Sequence, residues 1–245
     1  YDVPTQTWTA LGGIGGQNTD QISSAWGVSG DGETVVGLGW LSGGGAHAIS
    51  WTEATGVVDM GTTVQDRSTR ADAVSEDGSV IVGWQDSQSG FRQAAVWTNG
   101  VQQLIYFPTG ESTLAATTIS DDGVWVGGDG SSTNSYQAYR WSEATGVLNV
   151  GPPLTPGWRG ATTGLSGDGS IIVGYYRPQG PALFGSGFIW TEALGITDLN
   201  TYAESLCIDT QGVVMSLPLN ISKDGTTIVG AGRDANNQRV GFILK

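Results

Sequence analysis

Five copies of one short segment constrain this chain more than any other feature. Val28-Ser29-Gly30-Asp31-Gly32-Glu33-Thr34-Val35-Val36-Gly37 recurs as Val74 to Gly83, Ile119 to Gly127 (one residue shorter), Leu165 to Gly174 and Ile221 to Gly230. The turn aspartates Asp31, Asp77, Asp122, Asp168 and Asp224 are spaced 46, 45, 46 and 56 residues apart. A second anchor follows each: Trp51, Trp97, Trp141, Trp190 and finally Leu244. Asp-Gly supplies the positive φ of a tight hairpin, so each segment reads as two antiparallel strands joined by a turn. A third strand ends at the Trp, and a fourth follows a Thr-Glu-Ala-Thr-Gly turn, as in Val57-Val58-Asp59-Met60. Four short strands in a period of about 45 residues describe a propeller blade. The expectation is an all-β, five-bladed β-propeller with four antiparallel strands per blade, a single domain over residues 1–245.

The last unit stops at Ile243-Leu244-Lys245, one strand short, while Thr7-Trp8-Thr9-Ala10-Leu11-Gly12 at the other end has no unit of its own. The N-terminal strand is therefore expected to close the last blade and remove two exposed sheet edges. The spacing of 56 before the last turn leaves about ten residues beyond one period. They fall in 200–219, where a short helix over the channel mouth, a lid or a plain loop plug would each fit.

His47-Ala48-Ile49-Ser50-Trp51, followed by Thr-Glu-Ala-Thr-Gly and Asp59-Met60-Gly61, resembles the bacterial extracellular HAF repeat. Leu11-Gly12-Gly13-Ile14-Gly15-Gly16 leading into Val28-Ser29-Gly30-Asp31-Gly32 fits the same pattern. The resemblance covers nearly the whole chain. It implies an exported or surface-displayed bacterial protein, such as part of an autotransporter passenger, and no particular enzymatic activity. The histidine survives only as His47; other units carry Gln93, Gln137, Ser186 and Val240 there, which argues against a repeated histidine function.

Composition narrows the function classes. With 23 acidic and 10 basic residues the net charge is −13, which repels phosphate backbones and excludes nucleic acid as an expected partner. No apolar run is long enough to span a bilayer, so no membrane insertion is expected. The chain opens on Tyr1-Asp2-Val3 without Met or leader and reads as a mature or trimmed piece, expected as a monomer. Cys207 is the only cysteine, which excludes an internal disulfide and leaves an expectation of a buried, inert thiol. Gly-rich runs such as Gly43-Gly44-Gly45 precede no helix and cannot cradle phosphate.

Sorting the loops by blade geometry separates two faces. The Asp-Gly turns and the Thr-Glu-Ala-Thr-Gly type turns form a uniform, acidic face. The remaining loops vary in length and carry Arg67, Arg70, Arg92, Arg159, Arg177, Arg233 and Arg239. Trp40, Trp84, Tyr175 and Tyr176 begin loops on that same face, and Trp158 stands beside Arg159. Aromatic rings stack on sugars and arginine forks pair with carboxylate or sulfate. Trp40, His47, Arg70, Trp84, Trp158, Arg159, Tyr175, Tyr176 and Arg177 are thus the candidate ligand-binding residues, for an acidic polysaccharide or host glycan. Burial of the rings between blades, with the arginines solvated or paired to Asp66, Asp72, Asp86 and Asp234, is the plainer reading.

The catalytic residues are unknown at this level. The channel-lining positions Trp26, Asp72, Thr117, Thr163 and Leu219 hold a single carboxylate, whereas glycoside hydrolysis needs two that converge. A polysaccharide lyase would need an arginine beside a base, for which Arg177 with Tyr175 or Tyr176, or His47, could serve. No cofactor is expected; calcium at the Asp-Gly turns is a minor alternative, since each turn offers one or two carboxylates. The sequence favours a secreted or cell-surface adhesion module, with an enzyme or an inert spacer of a larger surface protein as alternatives.

Overall fold

The computed structural model describes residues 4–15, 23–132 and 135–245. Among these residues nineteen strands form five antiparallel sheets. Sheet one holds β1 (Ser23–Val28), β2 (Val35–Trp40), β3 (Ala46–Thr52) and β4 (Gly56–Asp59). Sheet two holds β5 (Thr69–Val74), β6 (Val80–Asp86), β7 (Arg92–Thr98) and β8 (Val101–Leu104). Sheet three holds β9 (Ala115–Ile119), β10 (Val126–Ser132), β11 (Ser135–Ser142) and β12 (Gly146–Asn149). Sheet four holds β13 (Arg159–Leu165), β14 (Ile171–Arg177), β15 (Ser186–Thr191) and β16 (Gly195–Asp198). Sheet five has three strands, β17 (Val214–Ile221), β18 (Ile228–Arg233) and β19 (Arg239–Leu244). Successive first strands touch one another, which sets β1, β5, β9, β13 and β17 innermost.

The Asp-Gly turns are built alike. In the first, Ser29 Oγ donates to Asp31 Oδ1 at 2.5 Å, and the same oxygen accepts the Glu33 amide at 2.9 Å. Ser29 Oγ in turn accepts the Thr34 amide at 2.9 Å. Ser75–Asp77, Ser120–Asp122, Ser166–Asp168 and Ser222–Asp224 repeat the arrangement. The turn glycine adopts a φ between 66° and 77° in all five, a region that side chains with a Cβ avoid. The hydrogen bonds hold the carboxyls of Asp31, Asp77, Asp168 and Asp224 below their usual range, Asp77 and Asp168 at about 2. One oxygen of each turn carboxyl, Oδ1, is thus committed within the turn. Among the described residues no group of three or more His, Cys, Asp or Glu is placed to hold a metal.

Backbone hydrogen bonds tie each turn to the next. Gly30 N donates to Glu76 O, Glu76 N to Asp121 O, Asp121 N to Gly167 O and Gly167 N to Lys223 O, at 2.8 to 3.0 Å. The Lys223 ammonium then reaches across to Glu76 and lies 3.4 Å from Asp121. Apolar side chains fill the clefts between neighbouring sheets. Trp97 packs between sheets one and two, Trp141 between two and three, Trp190 between three and four, and Leu244 between four and five.

A fifth junction of this kind, between sheets five and one, is not formed among the described residues. No turn-to-turn bond joins Lys223 to Gly30, and Trp51 lines a cavity of about 190 Å³ with Leu11, Gly12 and Val36. Trp26, Val28 and Ile243 are exposed. The segment Thr7–Gly12 forms no named strand beside β19, so the expected fourth strand of sheet five is missing from the described pairing. Its distal end is nonetheless seated: Gly12 faces Val57 of sheet one as Gly151 faces Ile196 of sheet four. Gly16 lies outside the described residues.

Two expectations are corrected. Cys207 is exposed rather than buried, in the turn that follows a short helix, α1 (Leu199–Ser205), where its amide bonds Glu204 O at 2.9 Å. That helix, capped by Asp198 Oδ1 at 3.0 and 3.1 Å, accounts for the extra residues. It buries Leu199 and Ala203 in the cleft of sheets four and five, against the outer strand β16, and is not a lid over the axis.

Candidate functional site

One register feature, present in all five sheets, sets the chemistry of the axis. The innermost strand carries a β-bulge, and the extra residue is Trp26, Asp72, Thr117, Thr163 or Leu219. These are the positions the sequence assigns to the channel. A bulge redirects its side chain out of the pleat. Thr117 and Thr163 use the freedom to donate to Thr162 O at 2.9 Å and Pro218 O at 2.7 Å on the next innermost strand. Opposite each bulge the second strand needs glycine: a Cβ on Gly37, Gly83, Gly128, Gly174 or Gly230 would fall 1.9 to 2.4 Å from a carbonyl oxygen of the first strand.

This register corrects the reading of the third repeat. Gly128, not Gly127, is the counterpart of Gly83 and Gly174, so the third segment has full length. The next residue in each unit is Leu38, Trp84, Asp129, Tyr175 or Ala231. Asp129 therefore occupies the place of two of the candidate aromatics, and it brings a second carboxylate to the region of Asp72. Sequence reasoning missed it because two adjacent glycines hid the register. The equivalence with Trp84 and Tyr175 was the signal available.

Asp129 lines a cavity of about 160 Å³ with Arg159, Gly160, Ala161, Tyr175 and Arg177. The cavity lies at the variable-loop end of β13 and β14, where Arg159 and Arg177 are directly opposed in register. Two like charges at such a position repel, which favours anionic company. Arg177 also donates to Gly180 O. Burial pushes the Asp129 carboxyl up to about 6, although the nearby Arg92 and Arg177 guanidiniums oppose the rise.

A second group adjoins the first across sheets one and two. Arg70 pairs with Asp72 at 2.7 Å and stacks between Trp26 (4.4 Å) and Trp84 (5.3 Å). Arg92 covers Trp84 at 4.2 Å. Burial raises Asp72 to about 6 despite Arg70, and Asp129 adds to the effect. Arg70 Nε, Asp72 Oδ2 and Trp84 Nε1 are buried without a hydrogen-bond partner among the described residues. Two carboxyls titrating near 6 beside four guanidiniums mark this end of the axis as electrostatically costly, the usual condition of a functional site.

The remaining candidates lie apart. Tyr176, next to Tyr175 and so on the opposite face of β14, is fully buried over Gly160, with its Oη donating to Gly151 O at 2.7 Å. Its hydroxyl is pushed up by burial. Trp158 packs against the same core. His47 Nδ1 lies 2.8 Å from Asp59 Oδ1 within sheet one, and Trp40 is exposed at the end of β2. Neither lines the cavity.

The fold and this axial site define a β-propeller protein. No family model matches the sequence, and no curated protein matches it. Solved structures do. TolB from Acinetobacter baumannii superposes with a TM-score of 0.58 at 16% identity, over 92% of this chain and 52% of that one. A puromycin-hydrolyzing peptidase of Mycobacterium tuberculosis gives 0.60 at 14%, over 96% and 38%. The β-propeller domain of the Trilobed protease from Pyrococcus furiosus, described as having an open velcro topology, gives 0.53 at 13%, over 91% and 69%. This chain thus spans about half the length of that TolB. At these identities the shared property is the fold.

Proposed function

We propose that this chain is a secreted or cell-surface binding module that holds an acidic polysaccharide or host glycan at the cavity between sheets three and four. The observation that carries the reading is the convergence of Arg159, Arg177 and Tyr175 on one cavity at the variable-loop end. Paired guanidinium forks offer parallel donors to a carboxylate or sulfate, and the tyrosine offers a ring face to a sugar. The likeness to HAF repeats supports the surface location, and the net charge of −13 confines anion binding to such a local cationic site.

A screen of the purified chain on neutral and acidic glycans at two salt concentrations tests the reading. Salt-sensitive retention of acidic glycans, lost in Arg159→Ala and Arg177→Ala, is expected; retention of neutral glycans alone would overturn it. The enzyme alternative draws on the two raised carboxyls, Asp72 and Asp129. A hydrolase or lyase would shorten the bound polymer, and unchanged polymer after prolonged incubation would dismiss both.

The five sheets are read as five blades, with Thr7–Gly12 as the fourth strand of the last. The seating of Gly12 on sheet one supports this, and so do the edge of β19, unpaired among the described residues, and the half-buried Trp51 beside the cavity at Leu11 and Gly12. Amide exchange decides it. Closure predicts β19 amides protected like those of β7 and β15, and lost protection when residues 1–10 are removed. Fast exchange in the full chain would contradict it.

A further inference from the structure

The walls of the cavity specify more than charge. Arg159 and Arg177 supply donors and two positive charges, while Asp129 supplies one negative charge, leaving the lining one positive charge in excess. An ionised carboxylate only accepts hydrogen bonds. A ligand that covers Asp129 must therefore bring it an O–H or N–H, or leave a buried acceptor unpaired beside a second anion. A bare anion such as sulfate, phosphate or a simple carboxylate satisfies the guanidiniums and repels Asp129. A zwitterion satisfies both groups but carries no net charge to match the excess. A monoanion with hydroxyl donors next to its carboxylate matches the whole lining. The cavity, about 160 Å³ and open to solvent on one side, admits one ring of a longer chain without enclosing its neighbours.

We infer that the cavity takes a single hexuronate ring, its carboxylate on Arg159 and Arg177, its free hydroxyls on Asp129 and its ring beside Tyr175. The inference rests on the anionic-glycan reading and names the sugar within it. Asp129 acts here as a selector of hydroxylated anions over anions of equal charge that lack donors.

The test is calorimetric titration of the full chain with three probes: tri-galacturonate, its 2,3-di-O-acetylated form, and tricarballylate. All three carry three carboxylates; the acetylated form keeps only its terminal 4- and 1-hydroxyls, and tricarballylate has no hydroxyl at all. Wild type is expected to prefer tri-galacturonate by roughly tenfold or more, since a site built to pair with a hydroxyl strongly rejects analogues without it. Asp129→Asn, which keeps the shape and removes the charge, is expected to shrink that preference to roughly threefold or less. It should do so by tightening tricarballylate as well as weakening tri-galacturonate. A melting curve like wild type secures the variant's fold, and Asp129→Ser provides a second if asparagine is not tolerated.

Equal affinity for the three probes would overturn the sugar assignment and leave the charge reading standing. An undiminished preference in both Asp129 variants would overturn the role of Asp129. Displacement of tri-galacturonate by alanine would show a zwitterion site and overturn the assignment too. Binding of none of the probes, together with a blank acidic-glycan screen, would remove the reading beneath it.

Discussion

Replacing Asp129 should stabilise the protein, and only above a definable pH. In the fold this carboxyl titrates at about 6, against 3.8 for an ordinary aspartate. The cause is burial; the guanidiniums of Arg92 and Arg177 oppose it, Asp72 lies in electrostatic range, and the buried Tyr139 stays neutral. Below pH 4 the carboxyl is protonated in folded and unfolded chains alike, and the site costs nothing. Between pH 4 and 6 the unfolded chain releases the proton while the fold keeps it, so stability falls as pH rises. Above pH 6 the full penalty is present. At about 1.4 kcal/mol per tenfold change, the difference between 3.8 and about 6 amounts to about 3 kcal/mol. Asp129→Asn removes that charge. Urea unfolding of wild type and variant from pH 4 to 8 should show their stability difference shift by about 3 kcal/mol in favour of the variant. In a chain of this size that corresponds to about 6–12 °C in Tm. A pH-independent difference would refute the claim that the site stores this cost.

Three further outcomes follow from the geometry. Tyr176→Phe, which takes the donor from the half-buried Gly151 carbonyl, should cost about 1–2 kcal/mol in chemical denaturation and leave glycan retention intact, whereas Tyr175→Ala should do the reverse. Gly83→Ala would set a methyl 1.9 Å from the Arg70 carbonyl, and backbone cannot give way as a flexible side chain can; a loss of about 3 kcal/mol or failure to fold is expected, against little effect for Gly43→Ala, which has open space. Lys223→Ala should barely move Tm, because its ion pairs with Glu76 and Asp121 are exposed, and a large salt-sensitive drop would mean that this contact holds the turn ring together.

The repeat made most of the architecture legible. Asp-Gly at fixed spacing fixes five hairpins, because only that turn chemistry supports the positive φ, and the recurring Trp marks the cleft each sheet fills. The site was half legible. Arg159, Tyr175 and Arg177 stood out by charge and loop position, and they line one cavity. Tyr176 looked equivalent to Tyr175 because strand parity at a strand end depends on a register that a bulge shifts by one. Trp158 looked like a loop ring, yet apolar area draws it into the core. Asp129 was hidden by Gly127-Gly128, where the sequence does not say which glycine faces the carbonyl. Cys207 was misjudged because burial was expected from the residue type alone, whereas the turn after helix α1 sets it at the surface.

Backbone amide mapping by NMR during titration with an oligogalacturonate tests the central claim most directly. The account predicts saturable shifts centred on Arg159, Gly160, Ala161, Tyr175 and Arg177, with Asp129 beside them and the Asp-Gly turns silent. Shifts confined to those turns, or none at millimolar sugar, would contradict it.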